Sequence, residues 1–272
     1  MDPVIAIIVL FIIAFASEFV DSSLGMGYGT TLAPLLLIMG YNPLMVVPAI
    51  LVSELITGSL AAFMHHRAGN VQFDFRNDPS HRLVKKMRLL GYMPRSNASK
   101  IALVLAGCSL VGAVTAVFVA VNIPKTYLKV FIGLMVLSMG ILILLKRNSK
   151  PCFSWSKIAG LGILAAFNKG LSGGGYGPLV TSGQILSGVD TKSSVAITSL
   201  AESFTCFVGV ITFLLVGTEF DWNITFPLLA GAIASVPLST RTVKKLKVRN
   251  FTIIVGTATV ILGLFTLYKV IL

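Results

Sequence analysis

Long apolar runs separated by short polar segments dominate the pattern of hydrophobic and polar positions along the chain. Five of these runs approach or exceed the ~20 residues with which an α-helix crosses a bilayer. They predict membrane helices over residues 44–64, 101–121, 127–145, 195–216 and 251–272. A sixth run, residues 224–238, is shorter and has Pro227 and Pro237 near its ends, so it can cross only if its flanks are helical.

Two further pairs of apolar runs are interrupted by glycine-rich segments. Runs 4–19 and 28–39 have DSSLGMG between them, and runs 158–167 and 179–186 have NKGLSGGGYGP between them. Clustered glycine ends regular structure. Each pair therefore predicts two short helices with an irregular break, either as a re-entrant hairpin or as two complete spans.

The two interrupted pairs belong to an internal repeat with an offset of 148 residues. Nine of the 39 positions from 19 to 57 are identical to the position 148 residues later: Phe19, Gly25, Gly27, Tyr28, Gly29, Gly40, Val47, Glu54 and Thr57. The match between Glu54 and Glu202 is the most informative, because carboxylates are rare inside membrane spans. The repeat predicts two halves, residues 1–148 and 149–272.

Most of the 22 basic residues lie in three short segments, residues 67–95, 146–157 and 241–249. Short basic loops beside membrane helices lie in the cytoplasm. All three segments reach that side only if each interrupted pair makes no net crossing. Each half then crosses an odd number of times, which predicts inverted repeats with both termini outside. The lysines at positions 125, 129 and 269 fall on the outer side and oppose this scheme mildly.

Composition supports the membrane assignment. With 55% hydrophobic residues, 12% charged residues and a mean hydropathy of +0.89, the chain is more apolar than soluble domains, in which about 25% of residues are charged. No Lys or Arg precedes run 4–19, so we take it as part of the mature structure rather than a signal peptide. The net charge of +12 lies in the loops, which favours a cytoplasmic face over a nucleic-acid partner. The predicted class is an all-α polytopic protein of the plasma (inner) membrane with about ten helical segments.

The cysteines and histidines predict neither a metal site nor a cofactor. Cys108, Cys152 and Cys206 lack C-x-x-C spacing, and the three histidines of segment 65–99 lack the spacing of metal ligands. We expect this basic segment to form a cytoplasmic loop, solvated or facing lipid headgroups, with a short amphipathic helix around residues 82–90.

The glycine breaks predict the site. Irregular backbone at membrane depth is costly, because lipid cannot satisfy its N–H and C=O groups. New helices are expected to begin after Gly29 and Gly177, and free amides at helix N-termini attract anions. We expect the breaks to converge around a small oxyanion. The candidate substrate-binding residues are Ser23, Gly25, Gly27, Tyr28, Gly29, Lys169, Ser172, Gly173, Gly174, Gly175, Tyr176 and Gly177.

Charged residues near the breaks leave two alternatives open in each case. Lys169 and Asp21 occupy matching positions, and Lys169 either attracts the anion or pairs with Asp21 or Glu18 in a structural role. Glu54 and Glu202 follow the two hairpins. They are candidate proton carriers or, equally, carboxyl groups that tie down the hairpin backbone.

At these residues the chain resembles the sulfite exporter TauE/SafE family, also called the 4-toluene sulfonate uptake permease family. The resemblance lies in EFVDSSLGMGYGTTLAPLLL with a Pro-containing helix at 42–54, and in AAFNKGLSGGGYGPLVTSGQIL followed by VAITSLAES. It covers nearly the whole chain and implies transport of small sulfur-containing anions such as sulfite or sulfonates. The loop at 65–99 is longer than the resemblance leads us to expect.

The leading hypothesis is a secondary transporter in which two inverted repeats alternate access to a central anion site, driven by an ion gradient. An anion channel with a glycine-lined pore is the alternative. The GYG phrase is not a potassium-channel filter, which requires parallel copies around one axis. An intramembrane enzyme is disfavoured, since the spans carry no nucleophile and base in a catalytic pattern. The expected partners are a small anionic substrate and membrane lipid.

Overall fold

The computed structural model describes residues 3–77, 92–145, 154–242 and 248–271. Within these ranges the chain forms ten α-helices, which confirms the predicted fold class. They are α1 (Pro3–Leu24), α2 (Tyr28–Ile38), α3 (Pro43–Arg67), α4 (Asn97–Asn122), α5 (Lys125–Leu145), α6 (Trp155–Ser172), α7 (Tyr176–Leu186), α8 (Thr191–Leu215), α9 (Trp222–Thr242) and α10 (Val248–Ile271). A small antiparallel two-stranded sheet of β1 (Phe75–Asn77) and β2 (Tyr92–Pro94) lies in the segment predicted as a loop. The helix predicted around residues 82–90 lies outside the described residues.

Six of the described helices are long and apolar enough to cross a membrane, namely α1, α3, α4, α5, α8 and α9. Large apolar side chains on their surfaces are exposed, such as Leu215 at 82% and Tyr127 at 68%, which suits a lipid environment. The chain is therefore a multi-pass membrane protein. The prediction of two short helices in the first interrupted pair is wrong for α1, which has 22 residues and can cross alone because its helix continues through Asp21 to Leu24, whereas α2 has only 11.

Glycines break the two hairpins at matching places. Gly25 and Gly27 precede α2 with φ of 69° and 144°, and Gly173 and Gly175 precede α7 with φ of 75° and 81°. Residues with a side chain rarely adopt these angles. The glycines therefore allow one helix to end and the next to begin almost at once. Both new helices begin at the tyrosine of the repeated phrase, slightly before the predicted start.

Helices that correspond in the 148-residue repeat make corresponding packing contacts. With the 148-residue offset, helices α1 to α5 correspond in order to α6 to α10. Helix α1 packs on α9 while its counterpart α6 packs on α4, and α3 packs on α8 while α5 packs on α10. All four of these contacts join a helix from residues 1–148 to a helix from residues 149–272.

Counterpart helices α5 and α10 run in opposite directions where they touch. Gly133 of α5 lies against Leu267 of α10, and Gly140 lies against Val260, seven residues earlier in α10. Small residues at such contacts let membrane helices approach closely. The pair is therefore antiparallel.

Counterpart helices α3 and α8 are antiparallel as well. Gly58 of α3 lies against Ser199 and Ser203 of α8, while Leu51, earlier in α3, lies against Gly209, later in α8. Both helices are central, because α3 also packs on α9 and α8 also packs on α4. Each therefore carries side chains from its own half into the interface with the other.

The basic segment begins later than predicted, because α3 continues to Arg67. His65, expected in a solvated loop, is fully buried. Its Nε2 donates to the carbonyl oxygen of Ser22 at 2.9 Å, and its Nδ1 accepts from the Asn70 amide at 3.0 Å. The Ser22 carbonyl lies in the last turn of α1, where helix carbonyls lack an intrahelical partner. The histidine thus holds the end of α1 just before the first break.

Candidate functional site

The two glycine breaks touch each other through their backbones. A β-carbon added at Gly29 would lie 2.9 Å from the Cα of Gly174, and one added at Gly174 would lie 2.7 Å from the carbonyl carbon of Gly29. A β-carbon at Gly177 would lie 2.8 Å from the Cα of Met26. Such distances exclude any side chain, so the hairpins cross backbone to backbone. We call this contact the crossing.

Side chains of the same hairpin occupy two amides of the breaks. The Tyr28 amide, at the first residue of α2, donates to Asp21 Oδ1 at 3.3 Å. The Gly174 amide donates to Ser172 Oγ at 3.1 Å. An anion that used either amide would have to displace an oxygen of the protein. In this conformation these two amides are therefore not free to bind an anion.

A side-chain hydroxyl of the second hairpin (α6–α7) also forms a hydrogen bond with the backbone of the first (α1–α2). Thr181 of α7 donates from Oγ1 to the carbonyl oxygen of Gly25 at 2.7 Å. The same hydroxyl lies 2.9 Å from Thr198 Oγ1, to which Gln184 Nε2 donates at 2.9 Å. A polar chain therefore runs from α8 through α7 to the break of the opposite half.

Lys169 forms the electrostatic centre of the site. It lies in the last turn of α6, is fully buried, and is the only buried Lys or Arg among the side chains that the structure describes. Its Nζ contacts Glu54 Oε2 on α3 and lies 2.8 Å from Glu202 Oε1 on α8. The sequence left open whether Lys169 pairs, and the structure shows that it does, with these glutamates instead of Asp21 or Glu18.

Acidic groups outnumber the lysine at the site. Oxygens of Asp21, Glu54 and Glu202 all lie within 4.8 Å of one another, close enough to share one small cation. The Lys169 ammonium already contacts two of these three carboxylates, those of Glu54 and Glu202. The positive charge between them is therefore a side chain of the protein itself. Glu18, one turn before Asp21 on α1, is 2% exposed. Such a concentration of buried acids is costly in a membrane and points to function.

The two tyrosines of the repeated phrase are both fully buried but differ in their partners. The Tyr28 hydroxyl lies 2.7 Å from Ser53 Oγ on α3. The position equivalent to Ser53 is Ala201, which has no hydroxyl. The Tyr176 hydroxyl lies near Thr205 of α8 instead, but the two make no hydrogen bond of ordinary geometry, and no other described residue does so. The otherwise symmetric crossing thus has one satisfied and one unsatisfied tyrosine.

Other buried polar atoms also lack partners among the described residues. They are Ser23 Oγ, Glu54 Oε1, Ser182 Oγ, Gln184 Oε1 and Ser235 Oγ. An unpaired polar atom inside a protein costs roughly 1–3 kcal/mol. Three of the six such atoms belong to residues predicted for this site, which are Ser23, Glu54 and Tyr176. The described protein atoms therefore leave part of the hydrogen-bonding capacity at this site unused.

The structure gathers most residues predicted for the site and adds others. The glycine phrases, both tyrosines, Lys169 and the two repeat glutamates lie at or beside the crossing. Glu18, Asp21 and Thr181 were not among the predicted site residues. An acid inside an apolar run is the signal that could have identified the first two. Thr181 carried no such signal, because a threonine in a helix is ordinary.

These features define a polytopic helical membrane protein with two broken helices crossing at a buried charge cluster. The chain belongs to the sulfite exporter TauE/SafE family, whose sequence profile matches residues 10–76 and 87–266. It is a family of membrane transporters and not a class of enzymes.

A curated relative supports this assignment. The chain is 26% identical over 263 residues to the probable membrane transporter protein YtnM of Bacillus subtilis (strain 168), covering 92% of this chain and 79% of YtnM. No solved structure matches the chain significantly.

Proposed function

We propose that the protein is a secondary transporter of small sulfur-containing anions, sulfite or organosulfonates, which works by alternating access and is driven by an ion gradient. The observation that carries this proposal is the buried Lys169 ammonium beside the crossing, held by one glutamate from each half. A sulfite or sulfonate group offers the same chemistry to this lysine as the carboxylates it replaces.

Two inverted repeats, residues 1–148 and 149–272, supply the moving parts in this proposal. The antiparallel contacts of α3 with α8 and of α5 with α10 support it, since equivalent helices of inverted repeats run in opposite directions. The basic segments 65–99, 146–157 and 241–249 then lie in the cytoplasm and both termini lie outside the plasma membrane.

Binding of the anion and binding of the proton are coupled through the same ion pairs. An anion that binds Lys169 must displace Glu54 or Glu202, and a displaced carboxylate in a dry site repels the anion. A proton on the displaced glutamate removes that repulsion. Anion and proton therefore bind together, which assigns Glu54 and Glu202 to proton coupling.

Groups around Lys169 complete the anion site. Hydroxyl groups and backbone amides at helix N-termini suit the oxygens of a sulfonate. The proposed substrate-binding residues are Ser23, Gly25, Gly27, Tyr28, Gly29, Lys169, Ser172, Gly173, Gly174, Gly175, Tyr176 and Gly177. Once the site opens, the hydroxyls of Ser23 and Tyr176 need not leave a hydrogen-bond partner of ordinary geometry, whereas the amides of Tyr28 and Gly174 must first release Asp21 and Ser172.

The closed crossing favours a carrier over a channel. The backbones of Gly29 and Gly174 are too close for a methyl group, and therefore for a permeating ion, to pass between them. A channel would need a continuous polar pore through this point. Access then requires relative motion of the two halves.

Purified protein in proteoliposomes tests the proposal. Counterflow of labelled sulfite, sulfoacetate or taurine should occur and saturate, with sulfate and simple carboxylates as competitors. The same anions should raise the melting temperature of the wild type. The variant Lys169→Met with Glu54→Gln removes both charges together and should lose the ligand shift, while Lys125→Met at an exposed helix start should retain it. Equal shifts in both variants would reject Lys169 as the anion site.

A further inference from the structure

Glu18 is a buried acid that the ion-pair network does not reach. It lies on α1, and its two carboxyl oxygens contact hydroxyl groups only. Ser22 Oγ donates to Oε1 at 2.5 Å, and Thr57 Oγ1 of α3 lies 3.3 Å from Oε2. Neither neighbour carries a charge. A carboxylate buried beside hydroxyls alone is poorly compensated.

The other buried acids of the cluster have stronger partners. Glu54 and Glu202 contact the Lys169 ammonium. Asp21 accepts a hydrogen bond from the Tyr28 amide, which lies at the positive N-terminal end of the α2 dipole. One lysine cannot neutralise four carboxylates, so protons must make up part of the difference. Glu18 is the member with the least compensation for a negative charge.

The single hydrogen of the Thr57 hydroxyl also bears on the protonation of Glu18. Thr57 Oγ1 lies 3.1 Å from the Ser53 carbonyl oxygen and 3.3 Å from Glu18 Oε2. A threonine hydroxyl has one hydrogen, so it can donate to only one of these oxygens. The Ser53 carbonyl can only accept. Both contacts become hydrogen bonds if Thr57 donates to Ser53 and a proton on Glu18 Oε2 is donated to Thr57.

We propose that Glu18 carries a proton in this conformation and exchanges it with water when the site opens, which makes it a proton-coupling residue beside Glu54 and Glu202. As a coupling role, this inference rests on the proposed transport function. The ionised form is accommodated by rotating the Thr57 hydroxyl from Ser53 to Glu18. The equivalent of Glu18 in the second half is Ala166, so this proton site belongs to the first half alone.

The surroundings of Glu18 favour its neutral form. Asp21 on its own helix and Glu202 on α8 are the acids that act on it. From α2 and α3 come the Tyr28 hydroxyl and His65, which is bonded to the Ser22 carbonyl and to Asn70. The described basic side chains of α9 and α10, Arg241 and Lys269, are exposed. No described cation contacts Glu18.

Infrared spectroscopy of the purified protein in lipid at neutral pH tests the proton directly, without any cargo. The spectrum should contain the C=O stretch of a protonated carboxylic acid that is lost in Glu18→Gln and kept in Glu219→Gln, an exposed acid. Gln retains the contacts, because its amide can donate to Thr57 and accept from Ser22. If Glu18→Gln does not fold, Thr57→Val serves instead, and it should shift the same band. A folded Glu18→Gln that loses no such band, or a Thr57→Val that shifts none, overturns the proposal.

Transport separates this inference from the proposed function. Glu18→Gln should keep anion counterflow, which needs no net proton movement, and should lose accumulation driven by a pH gradient. Undiminished accumulation would overturn the coupling role of Glu18. Absence of counterflow in the wild type with every anion tested would instead reject the transport proposal, while the infrared result would still decide whether Glu18 holds a proton.

Discussion

The Lys169 ammonium on α6 contacts the Glu54 carboxylate on α3, so a buried ion pair joins the two halves beside their crossing. Removing one partner of such a pair leaves the other charge uncompensated, at a cost of about 3–5 kcal/mol. We expect Lys169→Met to lower the free energy of unfolding in detergent by an amount of this order. Adding Glu54→Gln to Lys169→Met should recover part of the loss. Unchanged stability in the single variant would show that the pair is dispensable.

The crossing should tolerate no side chain. We expect Gly29→Ala to separate the two hairpins and to lower both the melting temperature and any transport, because its methyl group would lie 2.9 Å from the Gly174 Cα. Gly160→Ala is the matched control, since it is also helical and a β-carbon there meets nothing within 4 Å. A helical Ala is more favourable than Gly by about 1 kcal/mol. Equal melting temperatures for the two variants would contradict the close contact.

The two tyrosines should respond differently to loss of their hydroxyls. Tyr28→Phe removes the 2.7 Å contact with Ser53 and should cost about 0.6 kcal/mol, the average for hydrogen bonds between membrane helices. Tyr176→Phe breaks no hydrogen bond of ordinary geometry and should lower the free energy of unfolding less than Tyr28→Phe does, but it should weaken the ligand-induced shift in melting temperature. The opposite pattern would place the cargo on the Tyr28 side.

Access to the site can be followed at Cys206. This thiol is fully buried on α8 and lies 4.0 Å from Glu54 Oε2. With Cys108 and Cys152 replaced by Ser, we expect a membrane-impermeant maleimide to leave Cys206 unlabelled at rest and to label it during anion counterflow. Labelling that is equally fast at rest would show a permanently open path.

Membrane orientation is open to a direct test. If the repeats are inverted with an odd number of crossings each, the N-terminus and the C-terminus lie on the same outer side. Alkaline phosphatase, which is active only outside the cytoplasm, should therefore be active when fused at either terminus and inactive when inserted in the basic segment 65–99. Activity at one terminus alone would contradict inverted repeats.

Local sequence signals predicted the elements of the fold well. Paired glycines with neighbouring tyrosines identified both breaks, and apolar runs identified the long helices, because these depend on residues close in sequence. Helix ends were less accurate, as α3 shows by continuing past Met64 to Arg67. The apolar pattern ends before His65, and only the contact with Ser22, 43 residues away in sequence, explains why that histidine is buried.

The partners within the site were harder to predict. Positions just before the breaks of the repeat made Asp21 or Glu18 the expected partner if Lys169 pairs, with attraction of the anion as the other alternative. The antiparallel packing of α3 and α8 instead brings Glu54 and Glu202 to it from two sides. Such pairing depends on how helices from different halves pack, and one sequence contains no direct record of it. The difference between Ser53 and its equivalent Ala201 is visible in the sequence. Its consequence for the tyrosine hydroxyls follows only from the structure, which places Tyr28 against Ser53.

The exclusion of side chains at Gly29, Gly174 and Gly177 limits how proteins with this architecture can diversify. A new cargo preference cannot arise by substitution at the point where the hairpins meet, since any larger residue forces them apart. Under the proposed function, a change of cargo would have to come from surrounding positions such as Ser23 and Tyr176, whose polar atoms have no partner of ordinary geometry among the described residues. The backbone contact thus fixes how the hairpins meet, and in the proposed site the surrounding side chains decide which anion binds.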